Sequence, residues 1–595
     1  MNKIKEYCTN LKYAVSIIYA ASKKYFILVM LLAVGYALIP YLPMLLWREL
    51  INTLTTAIGG DPTPFLKTVW LFAVGYGAAL LIEKLLRICT DYVDFKYNDA
   101  IKYFMDNLMI DKASSVDLAF FDSSDLKDKL KNAWRLTWSM ENMVAIIFRM
   151  VEGCIRLVIS FSLLLTLSPW LVLLIVLLCI PSILWDKKAN DIDYRFRNEH
   201  DKTERKLDYC KNLFFEGAKQ EVRLYNLTGY FTSLYRNLRE GYDKAIHSKD
   251  KRVCLINSLS LVLLTLGEVA VYILSVTRLI AGQIAVGDVA YYVSLLTQFR
   301  TDFTITFYRF NSFRRHHQEI RDVRSFMEMP PMMDKSGTKI PGSNPVIEFR
   351  NVSFRYPGGE KDVLKDCSFT LNAGETVGLV GLNGSGKSTI VKLLCRFYDP
   401  TEGQILIDGI DHREYDIVKL RELFGVLFQN YAQYSFTLRE NIALSDLSRQ
   451  DDADAIRQAC KDSKAEDFMG DWERGIDENL TRRFDPKGKA LSGGQWQRVS
   501  LARAFFRDAP IILLDEPSAA LDPIAEHEIF QDFAGISKGR SAVMISHRLS
   551  SITLCDKILV LEDGHISEEG THAQLLRQNG RYAHLFNLQA SKYKS

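Results

Sequence analysis

The chain has 595 residues, long enough for more than one domain, and sets 74 Lys and Arg against 71 Asp and Glu for a net charge of +3. So even a balance excludes the global basic character of a nucleic-acid binder. With 24% charged residues, a mean hydropathy of −0.02 is high for a soluble chain and predicts two populations of segments, one of them very apolar.

Residues 1–25 mix apolar and basic positions ("YCTNLKYAVSIIYAASKKYF", from Tyr7) and predict an amphipathic elbow helix on the inner membrane face. A secretory signal is the rival reading, but no small-residue cleavage site follows a short apolar core. Six apolar stretches follow within residues 26–328: Phe26–Trp47, Phe65–Ile82, Met143–Leu167, Leu171–Trp185, Val253–Val276 and Ile284–Phe307. Several reach the roughly 20 residues that cross about 30 Å of hydrocarbon; the fourth is short and the sixth fairly polar. Buried helices of a large soluble domain are the alternative, against which "LLLTLSPWLVLLIVLLCIPSILW" is too continuous for an amphipathic helix. Asp125–Leu167 contains no proline and would run about 65 Å as one helix, well beyond a bilayer.

Charges inside these stretches are costly and need partners. Glu268, in "LLTLGEVAVYIL" of the fifth, is read either as a contact for cargo in a cavity or as a carboxylate held between helices. Arg149, Glu152 and Arg156 fall on one helical face of the third, where mutual ion pairing is expected.

Proline, glycine and serine end the helical pattern in a linker, residues 329–345 ("MPPMMDKSGTKIPGSNP"). Residues 346–595 are then a second domain. In it "GLNGSGKST", Gly381–Thr389, fits G-x-x-x-x-G-K-[ST] between a predicted strand, "ETVGLV", and a predicted helix, "TIVKLLCRF". That context makes a phosphate-binding loop of an α/β P-loop NTPase: Gly381, Asn383, Gly384, Ser385, Gly386 and Thr389 bring backbone and hydroxyl groups around phosphates. Lys387 reaches the β- and γ-phosphates of ATP and Ser388 ligates Mg²⁺. Downstream, "IILLDEPSAALD" is an apolar strand ending in Asp515, for the Mg²⁺ shell, and Glu516, for polarising the attacking water. All ten cysteines are scattered without C-x-x-C or a His/Cys cluster, and read as reduced core residues.

Between these motifs lies "LSGGQWQR", Leu491–Arg498. With it, the stretch from about Val346 to Leu588 resembles the ATP-binding domain of ABC transporters. The resemblance implies that Tyr356 stacks on adenine, that Gln429 touches Mg²⁺ and senses the membrane domain, and that His547 contacts the γ-phosphate. It makes Ser518–Asp522 the D-loop, Asp522 included. It also implies that two such domains close head to tail, so that Ser492, Gly493, Gly494 and Gln495 cap ATP held by the other subunit. Two departures mark this sequence: Pro486 and Lys487 replace a Glu and an Arg frequent before the signature, and Trp496 follows it where a polar residue is usual.

The first half resembles the α-helical membrane domain of type IV exporters, with six long transmembrane helices of which spans two to six project into the cytosol. Leu118–Ala133 looks like the family's first coupling region and Ala218–Asn226 like its second, whose short helices enter the other ATPase domains. An even number of spans puts the N-terminus beside the cytosolic ATPase. Lys96, Lys102, Lys127, Lys129, Arg195, Arg197, Lys202 and Arg205 then face the cytosol, while the outer connections carry few cations, chiefly Arg48 and Arg278. The implied protein is a multi-pass half-transporter in a bacterial cell membrane, in contact with lipid and with no nucleic-acid partner. It would act as a dimer, a homodimer before a heterodimer, and use ATP and Mg²⁺ to export a drug-like, lipid or peptide cargo. An importer, a membrane regulator of the same fold, or a soluble ATPase of the same family are the rivals. No peptidase domain precedes the first span, which argues against an exporter that cleaves a leader from its cargo.

Overall fold

The computed structural model describes residues 2–58, 65–122, 146–166, 169–215, 218–470, 472–517 and 539–594. They form two units: Met1–Ser114 with Lys129–Met329, and Ser115–Asp128 with Pro330–Ser595.

The described residues of the first unit are almost entirely helical. It contains α1 (Asn2–Ala21), α2 (Lys23–Leu38), α3 (Tyr41–Ile58), α4 (Leu66–Ser115), α6 (residues 146–165), α7 (Pro169–Asn212), α8 (Lys219–Leu224), α9 (Thr228–Ile280) and α10 (Val286–Met327). By helical rise, the 50 residues of α4 and the 53 of α9 span about 75 and 80 Å, more than twice a bilayer core. Among the described residues, Lys23–Ile58, Leu66–Ser115 and Thr228–Ile280 are long and apolar enough to cross a membrane. Of the stretch Asp125–Leu167, residues 125–145 and Leu167 lie outside the described residues.

Two apolar clusters bind the bundle. One joins Ala14, Ile17 and Ile18 of α1 to Tyr97, Ile101 and Met105 of α4, with Phe148, Ile320 and Val323. The Tyr97 hydroxyl donates to the Ile18 carbonyl (2.7 Å), so α1 has protein against its apolar face. The other joins Leu164, Val172, Ile175 and Val271 to Leu295, Phe299 and Phe303 of α10. At the start of α10, Asp288 accepts from the Ala285 amide (2.8 Å) and from Arg48 of α3 (2.5 Å), while Asn52 accepts from the Gly287 amide (2.7 Å). The cation that stood out among the outer connections is thus neutralised locally. The second coupling region forms the short α8, with Val222 buried and Leu224 and Tyr225 exposed.

In the second unit an antiparallel sheet, β2-β1-β4-β5, and a mainly parallel one, β10-β9-β3-β8-β7-β6, enclose a common core. Its strands are β1 (Ile347–Phe354), β2 (Leu364–Leu371), β3 (Thr376–Gly381), β4 (Glu402–Ile407), β5 (Ile410–Asp411), β6 (Phe424–Leu427), β7 (Ile511–Asp515), β8 (Ser541–Ile545), β9 (Lys557–Glu562) and β10 (His565–Gly570). Every residue of β7 and β8 is buried, as unbroken aliphatic runs require at the centre of a parallel sheet. Helices α11 (Lys387–Leu394) to α15 (Gly493–Phe506) complete the described part before β7, with α12 at Ile417–Glu422, α13 at Leu438–Ala443 and α14 at Ala453–Asp462.

The expectation that both coupling helices enter another chain's ATPase is corrected for the first. Helix α5, Leu118–Asp122, belongs to this chain's own second unit. Ala119 is buried in the core cluster that also holds Tyr398, Leu420 and Phe424. The linker is equally fixed: the Thr338 and Lys339 amides both donate to the Glu414 carbonyl at 3.0 Å, and the Lys339 carbonyl accepts from Asp416.

Candidate ATP site

The phosphate loop leaves the C-terminal end of β3, between β8 and β9, where ligands of parallel α/β sheets bind. Gly386 turns the chain into α11 at φ +106°, and a Cβ there would meet Leu364 Cδ2 at 2.6 Å, so only glycine fits. Lys387 folds back into the loop and donates to the Gly381 and Leu382 carbonyls, each at 2.9 Å. Burial pulls its ammonium below the usual lysine range, with the Glu516 and Asp515 charges opposing.

One cavity of about 610 Å³ is lined by Tyr356, Val363, Asn383, Gly384, Gly386, Lys387, Ser388, Thr389, Gln429, Glu516 and His547. Residues up to 191 positions apart, Tyr356 and His547, therefore share one space. Tyr356 is held by Thr389 (hydroxyl to hydroxyl, 3.1 Å) and lies beneath the Lys392 ammonium, 5.0 Å from its ring centre. Glu516 is gripped from both sides: Gln429 Nε2 donates at 2.9 Å, and His547 Nε2 meets the other carboxylate oxygen at 2.7 Å. Its backbone is left-handed, φ +55°, a strained conformation for a non-glycine residue. The Glu516 amide, donating to Ile545, and the Glu516 carbonyl, accepting from Gln497 at 3.0 Å, keep it there.

Asp515 ends β7 below this cavity, 4% exposed, with Oδ1 lacking any hydrogen-bond partner. Burial raises its carboxyl above the ordinary range, against the lowering effect of the Ser388 hydroxyl. Gly381 and Ser385 of the loop do not line the cavity, and the Ser385 hydroxyl is also buried and unpartnered.

The ABC transporter family profile matches residues 364–519. A solved structure of a bacterial Atm1-family ABC exporter with ATP bound superposes with a TM-score of 0.81 at 25% identity, over 97% of this chain and 98% of that one. The chain is an ABC transporter. It has the type IV exporter fold, an α-helical membrane domain fused to an ATP-hydrolysing α/β domain. The subtilin transport ATP-binding protein SpaT of Bacillus subtilis is 28% identical over 94% of this chain and 91% of its own length. The nisin transport ATP-binding protein NisT of Lactococcus lactis is 26% identical over 98% of both. An ATP-dependent lipid A-core flippase of Alcanivorax borkumensis is 42% identical, but over 43% of this chain and 42% of its own length.

The signature of this ABC transporter lies away from the cavity, which Ser492, Gly493, Gly494 and Gln495 do not line. Ser492 caps α15 and Gln495 closes the capping box, which leaves the helix N-terminus well formed for an anion. The Tyr431 hydroxyl donates to the Gly493 carbonyl at 2.8 Å. Asp522 lies outside the described residues.

Trp496 departs from the family for a packing reason. It is 4% exposed, in a core with Leu438, Ile442, Ile456, Leu480, Val499 and Phe506. Pro486 and Lys487 sit on a turn in which Asp485 accepts from the Lys487 amide (2.9 Å) and from Asn479 (3.0 Å).

Sequence reasoning missed Gln497, although it is the second glutamine of "LSGGQWQR". It also missed Gln589, which donates to the His547 carbonyl (2.6 Å) and accepts from the Leu549 amide (2.9 Å). No local pattern marks Gln589.

In the membrane domain Glu268 of α9 meets Arg300 of α10 at 2.7 Å, a close ionic contact poorly angled for a hydrogen bond. Arg156 pairs with Glu152 (2.8 Å) as the spacing suggests, and also with Asp302 (3.6 Å), but Arg149 turns to Asp94 (3.7 Å).

Proposed function

We infer that this chain is one half of a dimeric exporter that couples ATP hydrolysis to movement of a cargo out of the cytosol. The observation that carries this reading is the split between the cavity and the signature. A single chain gathers Lys387, Ser388, Gln429, Glu516 and His547 around one cavity, while the capped N-terminus at Ser492 points its anion-binding potential elsewhere. A second copy placed head to tail supplies that missing face, and each dimer then owns two sites. ATP binds the closed pair far better than the open one, and that difference in affinity shifts the population toward closure.

Within a site, Tyr356 would stack on adenine, and Lys387 with the loop amides would hold the β- and γ-phosphates. Glu516 would orient and deprotonate the attacking water, and His547 would steady the γ-phosphate. Mg²⁺ fits here: the unpartnered Asp515 Oδ1, the Ser388 hydroxyl and Gln429 are hard oxygen donors. Bound there, it would neutralise developing phosphate charge.

The domain limits proposed are 1–25, 26–328, 329–345 and 346–595, with residues 115–122 docked on the ATPase. We place the ATPase in the bacterial cytosol. The relatives aligned along nearly the whole chain are named for subtilin and nisin transport, and the lipid A-core relative aligns over 43% of it. That contrast favours a cargo of the former kind over a lipid. Stimulation of the purified dimer's ATPase by such cargo tests the reading; a rate unmoved by that cargo and by lipid alike counts against it.

A further inference from the structure

Asp117 is a buried carboxylate outside the ATP site, its side chain 2% exposed. Burying a charge is unfavourable unless donors replace the lost water, and here they do. One oxygen accepts the Met332 and Met333 amides at 2.7 and 3.0 Å, and the other meets Lys335 Nζ at 2.6 Å. Burial alone would raise its carboxyl, but Lys335 and the two amides more than offset this and hold it below the ordinary range. Lys335 Nζ also donates to the Ser115 carbonyl at 3.2 Å.

These contacts join two passages of chain distant in sequence, the one that follows α4 and the one that follows α10. A matching stitch lies just before them in the helical unit, where Lys112 Nζ donates to the Met329 carbonyl at 2.8 Å. The ATPase does not need Asp117 to hold the linker. The Asp334 carbonyl accepts from the buried Arg396 (2.5 Å), and Lys339 bonds Glu414 through main chain and side chain.

We propose that Asp117 is a positioning residue for coupling: it locks α5 to residues 332–335, so that ATP-driven displacement of the ATPase reaches α4 and α10 together. This rests on the transporter reading. With the clamp cut, the ATPase still turns over, but its motion is delivered to two passages held together only by Lys112 on Met329 and Lys335 on Ser115, and is partly lost.

The test uses the full-length chain in lipid nanodiscs, in a cysteine-free background with spin labels at 58 and 280. Both positions are exposed at the ends of α3 and α9. Label separation is measured by pulsed electron resonance before and after Mg-ATP with orthovanadate, beside basal ATPase. Wild type is expected to show a shift, and Asp117→Ala less than about a third of it with ATPase within about twofold. Asp117→Asn, which keeps an acceptor for the amides, is expected to recover most of the shift. A wild-type shift in Asp117→Ala overturns the proposal, as does loss of ATPase in parallel with the shift. Should Asp117→Ala not fold, Lys335→Met carries the test, with a reduced shift supporting and a full shift overturning it. If wild type hydrolyses no ATP, the transporter reading fails and the proposal falls with it.

Discussion

Replacing Glu516 by Gln perturbs the ATP site with little change of shape. The amide keeps one acceptor oxygen for either Gln429 or His547, which now share the carboxylate at 2.9 and 2.7 Å. The left-handed backbone is held through the Glu516 amide and carbonyl, which the substitution leaves untouched. Folding and ATP affinity should therefore change little, the dissociation constant by less than about threefold, or about 0.7 kcal/mol. What disappears is the base. Loss of a positioned general base lowers rates by about 10²- to 10⁴-fold, equivalent to about 3 to 5 kcal/mol of barrier. Phosphate release from the full-length dimer, with cross-linking to follow ATP-dependent closure, measures both halves. The expected result is a closed, ATP-loaded dimer turning over at least a hundredfold more slowly. Turnover above about a third of wild type would remove Glu516 from the chemistry. Lys387→Ala should fail earlier, at nucleotide binding.

Asp515→Asn should raise the melting temperature of the nucleotide-free protein while abolishing stabilisation by Mg-ATP. Asp515 is raised in the folded state, so its relief is complete below the ordinary value of 3.8 and is lost as pH rises through the raised pKa. The melting-temperature gap between variant and wild type should accordingly open as pH rises from that value, and be smallest below it. Trp496→Ala should destabilise the ATPase by about 3 to 5 kcal/mol through the cavity it leaves, measured by urea unfolding. A loss under 1 kcal/mol would contradict the burial argument. Glu268→Gln should lower thermal stability by leaving Arg300 unpaired, and the double variant Glu268→Gln, Arg300→Gln should recover more than half of the loss. Unchanged stability with selective loss of cargo-stimulated ATPase would instead assign Glu268 to the cargo path.

What was legible in the sequence was what a short stretch dictates. The loop at Gly381–Thr389 and the strand ending in Asp515 declare themselves because glycine conformation and unbroken aliphatic runs act locally. The grip of Gln429 and His547 on Glu516 joins residues 87 and 31 positions apart, and no periodicity encodes it. Trp496 looked anomalous beside the signature because its partners Leu438, Ile456 and Leu480 lie far upstream. The docking of α5 was misjudged for the same reason: "LAFFD" reads as a helix for another chain until Asp117 is seen bonded to Met332, Met333 and Lys335. Glu268 could be recognised as needing a partner, but which one depends on how α9 meets α10.

The most direct test of the account is transport by this chain alone, reconstituted inside-out in lipid vesicles with the ATP site facing the bath. Mg-ATP should drive accumulation of a labelled cargo of the subtilin or nisin kind, and the Glu516→Gln chain in the same vesicles should show none. Accumulation that proceeds without ATP, or ATP-driven loss of cargo preloaded in the vesicles, would contradict it.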